Sequence, residues 1–269
     1  VKGPNFFVVG AAKSGTTALY NGLLRHDDVY LTTPKEPHFY AYLADPVALS
    51  HLYADETAAR RSYAELFAGV GDEIAVGDAS TSNLAVPGAV EVIAREVPGA
   101  RIVAVLRHPV DRAFSHWRHF RVAGGEDIAD FAEALRQEQP RAAAGFPFTY
   151  QYRGWGCYAG QLRPYIERFG AERVQVHLYD DLCADSGAVL RETFRFLGVD
   201  DSVDIPPVGR FNEMAAPAPV RGWRAPLVRR RPQPKRVLDA ELRAELTGGL
   251  QEEITALEEL LGRDLSAWR

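Results

Sequence analysis

Within Gly10-Ala11-Ala12-Lys13-Ser14-Gly15-Thr16-Thr17, small residues surround a single lysine. The apolar run Asn5-Phe6-Phe7-Val8-Val9-Gly10 leads into this stretch, and a helical pattern over Thr17 to Arg25 follows it. A strand, a short loop of small residues and a helix start make an anion site. Backbone N–H groups converge there, and the helix N-terminus adds partial positive charge. Lys13 supplies a full charge, and Thr16 and Thr17 supply hydroxyl donors. Gly10 and Gly15 have the separation found in the nucleotide loop G-x-x-x-x-G-K-[ST]. Thr16, however, fills the lysine slot of that loop, and the lysine lies inside it at position 13. This arrangement weakens the case for ATP with bound Mg²⁺.

A second group is Arg107-His108-Pro109-Val110-Asp111-Arg112-Ala113-Phe114-Ser115. Arg107 follows the buried-strand pattern Arg101 to Leu106, at the carboxyl edge where open α/β sheets bind ligands. Ser115 falls in the first two turns of the next helix. An arginine fork and a serine hydroxyl together suit a second phosphate. Arg112 is either a further member of this group or a solvated charge on the helix face. Two anion sites on neighbouring strand ends fit a ligand carrying phosphates at both its 5′ and 3′ positions.

The elements that must position these groups alternate along the chain. Short apolar strands are expected at residues 29–31, 74–78, 101–106 and 173–179, besides the first at 5–10. Helices are expected at 88–97, 126–137, 161–169, 186–197 and 239–261, with mixed helix and loop over 45–69. Residues 138–156, with Pro140, Gly145, Pro147, Gly154 and Gly156, read as a long loop, a length often tied to function. Residues 205–235 are rich in Pro and Arg and read as irregular. Strands alternating with helices predict an α/β fold, a parallel sheet flanked by helices on both faces. No repeat or linker divides the chain, so residues 1–269 are expected to form a single domain.

The 269 residues suffice for one full core. A hydrophobic fraction of 46% and a charged fraction of 25% are ordinary for a globular chain. The formal net charge of −5 gives no global reason to expect nucleic acid or an anionic membrane as partner. Any anion site must therefore be built locally. Cys157 and Cys183 are too few for a disulfide framework and are expected to be free, partly buried thiols. No stretch approaches the ~20 apolar residues of a membrane span. The opening residues show no signal-peptide pattern, so a cytoplasmic location is expected unless a leader precedes them. The seven histidines and two cysteines show no metal-ligand spacing, and no metal is expected.

With these residues in view, the chain resembles the sulfotransferases that use 3′-phosphoadenosine-5′-phosphosulfate (PAPS). The first loop is similar to that family's 5′-phosphosulfate loop, and Val105 to Ser115 to its 3′-phosphate motif. Residues 35–40, Lys-Glu-Pro-His-Phe-Tyr, are similar to the acceptor-side motif of the branch that includes heparan sulfate sulfotransferases. Tyr158 to Phe169 with Val174 to Leu182, ending in Tyr-Asp-Asp-Leu, resemble the family's later helix and strand. The closing helix and Leu265 to Trp268 resemble the tail of bacterial members. The resemblance implies a fold like that of the P-loop NTPases. It assigns Lys13, Ser14, Gly15, Thr16 and Thr17 to the 5′-phosphosulfate, and Arg107 and Ser115 to the 3′-phosphate. Arg221 is the nearest counterpart of a late basic loop over the cofactor. Phe211 is either an adenine-stacking ring or a core residue.

The implied chemistry is metal-independent, in-line transfer of a sulfuryl group to a hydroxyl or amine of a small-molecule or glycan acceptor, leaving 3′,5′-bisphosphoadenosine (PAP). Lys13 is the natural group to stabilise the leaving phosphate. Glu36 is the expected base, because the resembling branch places a glutamate at this point. His38 is the alternative, since in an extended stretch it points the same way as Glu36. Ser80 and Ser82 are expected on the acceptor side. Asp78 at a strand end imitates the Mg²⁺-binding aspartate of P-loop enzymes. Phe146, Phe148, Tyr150, Tyr152 and Trp155 are expected to shape the acceptor pocket or to pack the loop. Two other readings stay open: a P-loop kinase-like phosphotransferase, and a non-catalytic nucleotide- or glycan-binding module. The identity of the acceptor and the oligomeric state are also open.

Overall fold

The computed structural model describes residues 2–203, 205 and 237–269. In chain order the elements are β1 Phe6–Gly10, α1 Thr16–Leu23, β2 Val29–Leu31, α2 Phe39–Ala44, α3 Glu56–Glu65, β3 Ala75–Asp78, α4 Ser82–Ala85, α5 Ala89–Glu96, β4 Arg101–Leu106, α6 Pro109–Ala123, α7 Phe131–Arg136 and α8 Glu138–Ala143. They continue with α9 Tyr158–Phe169, β5 Val174–Leu178, α10 Tyr179–Ala184, α11 Ser186–Leu197, α12 Ala240–Gly248 and α13 Gln251–Leu261.

The five strands form one sheet in the order β2-β3-β1-β4-β5, and every pairing is parallel. Side chains on successive strand residues point to opposite faces, and here both faces are covered. Phe7, Val9, Ile102, Ala104 and Leu106 join one apolar cluster with residues of α2, α5, α9 and α13. Phe6, Val8, Val103 and Val105 join a second with residues of α1 and α11. All five residues of β1 are buried, as a central parallel strand requires. The expected α/β architecture is therefore present.

Turn residues close the elements as their chemistry predicts. Pro109 opens α6 where its missing N–H costs nothing, and Gly124 closes that helix in the left-handed conformation. Gly198 does the same for α11. Among the described residues no helix is long and apolar enough to cross a membrane. Cys157 and Cys183 are free, but both are exposed rather than partly buried.

Three expectations about elements need correction. The helix expected over 126–137 begins only at Phe131, where the Asp130 side chain accepts from the Glu133 N–H. The long loop expected over 138–156 contains α8 and two single 3₁₀ turns. Pro140 does not prevent α8, because it lies in the first turn, where no intrahelical donor is needed. The closing helix is two helices, broken near Gly248 and Gly249.

A third apolar cluster lies on α6, formed by Ala113, Trp117, Phe131, Ala134, Leu135 and Tyr152. Beside it, Arg141 grips Glu126 bidentately at 2.6 and 2.9 Å. The Tyr152 hydroxyl donates to the same carboxylate at 2.6 Å, and the Ile128 N–H at 2.7 Å. Burial alone would raise the Glu126 pKa. The hydrogen bonds from Arg141 and Tyr152 prevail and hold it down to about 2. Removing one partner of such a pair leaves the other buried without a counter-charge. Glu126→Ala is therefore expected to cost about 3–5 kcal/mol in denaturant unfolding. Because the folded pKa is depressed, the pair's contribution is full above the ordinary glutamate pKa of about 4.3. It fades as pH falls towards the folded value, so an acid titration of unfolding should show wild type converging on the variant.

Candidate active site

The loop after β1 is tied to β4: the Ala11 N–H donates to the Val105 carbonyl at 2.7 Å. Lys13 and Gly15 both have positive φ, 67° and 94°. A Cβ on Gly15 would lie 2.9 Å from Leu182 Cδ2 and 3.0 Å from Tyr179 Cδ2, so only glycine fits the turn without displacement. Ser14 and Thr16 are buried, and Thr17 is exposed. The Thr16 and Thr17 amides, in the first turn of α1, have no acceptor among the described residues.

Arg107 sits beside this loop. Its Nη1 donates to the Lys13 carbonyl at 3.3 Å, and its guanidinium lies 4.6 Å from the centre of the Tyr179 ring. The Arg107 carbonyl accepts from the Tyr158 hydroxyl at 2.9 Å. Burial, chiefly, lowers the Lys13 pKa. Glu36 opposes that shift, and the like charges of Lys35 and Arg107 add to it. The Lys13 ammonium has no hydrogen bond or ion pair among the described residues. This cluster of cations is thus incompletely neutralised, in a chain whose net charge is −5.

Ser115, on the second turn of α6, is half-buried, and its side-chain hydroxyl has no hydrogen-bond partner among the described residues. Arg112 is not the solvated helix charge that was one reading of it. It is wholly buried, donates to the Tyr152 carbonyl and reaches His116 Nδ1 at 3.4 Å. Its work is to hold the third cluster on α6.

Facing the loop is the segment between β2 and α2. Glu36 and His38 also have positive φ, 65° and 57°, so the stretch is not extended as the argument from alternation assumed. The two side chains still meet, with His38 Nε2 3.7 Å from Glu36 Oε2. Lys35 Nζ donates to Glu36 Oε1 at 2.6 Å, and the Thr81 hydroxyl donates to Oε2 at 2.8 Å. Burial pushes the Glu36 pKa up, but Lys35, His38 and Thr81 together bring it below the usual carboxylate value. Burial lowers the His38 pKa, against the pull of Glu36.

Asp78, at the end of β3, underpins this segment. It is fully buried, accepting from Tyr63 at 2.8 Å and from Ser80 at 2.6 Å. Burial lifts its pKa to about 6, although those hydrogen bonds pull the other way. The Ser80 hydroxyl accepts from the His38 N–H at 3.0 Å, and Ser82 Oγ lies 2.7 Å from His38 Nδ1. Asp78 therefore organises the turn under His38 instead of presenting its oxygens outward.

Three residues of this region escaped the sequence reading. Lys35 joins the two sides, lying 2.6 Å from Glu36 and 3.5 Å from Thr16 Oγ1. Tyr179 is the wall behind both Gly15 and Arg107. His119, one turn beyond Ser115 on α6, is exposed but feels the charges of Lys13 and Glu36. Lys35 lies in the quoted acceptor-side motif, and Tyr179 opens Tyr-Asp-Asp-Leu. Helical spacing from Ser115 was the available signal for His119. The aromatic residues of 146–155 largely pack among themselves and their neighbours: Phe148 stacks on Trp155 at 5.2 Å, and Tyr152 is fully buried. Arg221 and Phe211 lie outside the described residues.

A model of the Sulfotransferase family matches residues 41–203. That span contains Arg107 and Ser115 and begins after Lys13 and Glu36. Carbohydrate sulfotransferase 15 of Homo sapiens is 25% identical over 247 residues, covering 73% of this chain and 44% of that protein. Bifunctional heparan sulfate N-deacetylase/N-sulfotransferase 1 of Xenopus laevis is 25% identical over 208 residues, covering 75% of this chain and 23% of that protein. The chain spans less than half the length of these curated relatives. The crystal structure of a sulfotransferase from Alicyclobacillus acidocaldarius matches with a TM-score of 0.83 and 33% identity, covering 100% of both chains.

The geometry at Gly15 gives a direct test of the loop. Gly15→Ala places a side chain in the left-handed region, at a cost of about 1–2 kcal/mol, and forces Leu182 or Tyr179 to move. The expected result is a lower melting temperature in a thermal unfolding scan, and an unchanged one would show that the turn accommodates the side chain.

Proposed function

The chain belongs to the sulfotransferase family, and from that premise we propose that it moves a sulfuryl group from PAPS to a hydroxyl or amine of a glycan or small-molecule acceptor. The observation that carries the reading is the shared crevice of Lys13 and Arg107, with Glu36 across from them. The residues fit a doubly phosphorylated donor. Gly15 lets the loop turn tightly against Tyr179 and Leu182, two first-turn amides are free of described acceptors, and the cations exceed the carboxylates nearby. The relatives named for carbohydrate and heparan sulfate support a glycan acceptor.

When bound, PAPS supplies an activated sulfuryl group on a phosphate leaving group. In the transfer a bond forms from the acceptor oxygen or nitrogen to sulfur, and the bond from sulfur to the phosphate oxygen breaks. Lys13 and the Thr16 and Thr17 amides hold the charge that grows on the departing phosphate, where preorganised donors act most strongly. Arg107 and Ser115 anchor the 3′-phosphate and so fix the donor's direction. Glu36 takes the acceptor proton, and Thr81 and His38 hold its carboxylate in place. By analogy with phosphoryl transfer, positioning and electrostatics do most of the work.

Calorimetry should show PAP binding in preference to ATP with Mg²⁺, and the opposite preference would end this reading. Lys13→Ala is expected to lower kcat by about 10²–10³-fold. Glu36→Gln should lower it by about 10²–10⁴-fold while PAP affinity is retained. Arg107→Ala should act mainly on donor affinity, by about tenfold or more, because it removes a charge-assisted contact worth about 1.5–3 kcal/mol. Transfer of labelled sulfate to a panel of hydroxylated and amino acceptors provides the assay. Full activity of Glu36→Gln would remove Glu36 as the base.

A further inference from the structure

We propose that Lys35 couples donor binding to the base: its ammonium, shared between Glu36 and Thr16, passes from the carboxylate to the donor's 5′-phosphosulfate, and so releases Glu36 to accept a proton only when the donor is seated. This rests on the function proposed above and assigns to Lys35 a positioning role.

The geometry is that of a cation between two sites. Lys35 Nζ is 2.6 Å from Glu36 Oε1 and 3.5 Å from Thr16 Oγ1, and Thr16 opens α1 at the loop where the donor's phosphosulfate is placed. An ammonium has three donors, and only these two acceptors are in reach among the described residues. The side chain is 16% exposed, so water competes weakly for the third donor. Among the described residues, Glu36 is the only carboxylate that contacts Lys35. A phosphosulfate at the N-terminus of α1 brings two negative charges to the same ammonium, against one on Glu36, and the exchange follows from Coulomb's law.

The consequence for the base has a definite sign. Lys35 is the strongest influence lowering the Glu36 pKa, acting against burial, which raises it. A carboxylate held in that state is a poor proton acceptor, because general-base efficiency is greatest when the pKa approaches the working pH. Losing Lys35 leaves Glu36 with Thr81 and His38 and moves its pKa upward. The other charged groups that act on it are Lys13 on the donor loop, Asp78 at the end of β3 and His119 on α6. Lys13 makes no ion pair with Glu36 among the described residues, so Lys35 is the cation whose contact with Glu36 can change.

The test follows Glu36 directly. With glutamate carboxyls labelled with ¹³C, the Glu36 resonance is identified by its loss in Glu36→Gln. It is then titrated with and without PAP, whose 5′-phosphate stands in for the phosphosulfate. In wild type, PAP should raise the Glu36 pKa by about one unit, a tenfold change in proton affinity. In Lys35→Met the free protein should start from the raised value, and PAP should add clearly less. Lys35→Arg should restore part of the wild-type response. An equal rise in wild type and Lys35→Met, or no rise in wild type, would overturn the coupling. Calorimetry on the same samples separates the two proposals. Binding of PAP with an unmoved Glu36 rejects only the coupling, whereas absence of binding rejects the donor assignment and the coupling with it.

Discussion

β1 and β4 lie side by side in one parallel sheet, and the chain leaves both at the same edge. Their register carries Val8 opposite Val103 and, after an irregularity, Gly10 opposite Ala104. Lys13 and Arg107 leave these neighbouring strands and have no route apart, so two cations share one crevice. Their mutual repulsion is offset where each can find electron density without a carboxylate. Arg107 uses the Lys13 carbonyl and the Tyr179 ring, the latter an attraction of about 0.5–1 kcal/mol at exposed sites and more when desolvated. A chain with a net charge of −5 thereby builds a local excess of positive charge at one sheet edge.

A second constraint is conformational. Among the described residues, the non-glycine positions with positive φ are Lys13, Glu36 and His38. Each left-handed residue costs about 1–2 kcal/mol, and such costs persist only where the surroundings fix the backbone. The surroundings here are identifiable. Tyr53 donates to the Pro37 carbonyl at 2.6 Å, and Ser80 accepts from the His38 N–H. The Ser80 hydroxyl donates to Asp78, which leaves the Ser80 oxygen free to accept. The strain and the chemistry-bearing side chains coincide because the same turns that are hard to form also aim those side chains into one space.

The parts of this arrangement legible in the sequence were the local ones. An apolar strand, small residues and a helix start are contiguous at 5–25, and Arg107 follows its strand directly, so both strand-loop-helix turns could be read from composition and order. Residues 186–197 with Gly198 were legible for the same reason. What failed were judgements that depend on distant partners. Pro140, Gly145 and Pro147 argued for a loop, but the helix at Glu138–Ala143 is secured by Arg141 reaching back to Glu126 and by Glu138 accepting from Arg153. Arg112 read as either an anion-site member or a solvated charge, because its buried acceptor, the Tyr152 carbonyl, is 40 residues away. Lys35 stood in the quoted motif, yet its position between Thr16 and Glu36 exists only once β1, β2 and β3 are assembled.

These distant contacts also connect the site to the rest of the fold. α6 carries Ser115 and His119 at its crevice side and Ala113 and Trp117 in the third cluster. Arg112 on the same helix holds the Tyr152 carbonyl, and the Tyr152 hydroxyl holds Glu126, whose carboxylate is clamped by Arg141. Each link is buried, so none can be exchanged for water without cost. The chain of contacts therefore fixes how α6 lies against the sheet, and with it where Ser115 stands relative to Arg107. A segment that read as a long loop is, on this account, part of what holds Ser115 and Arg107, the proposed second anion site, in register.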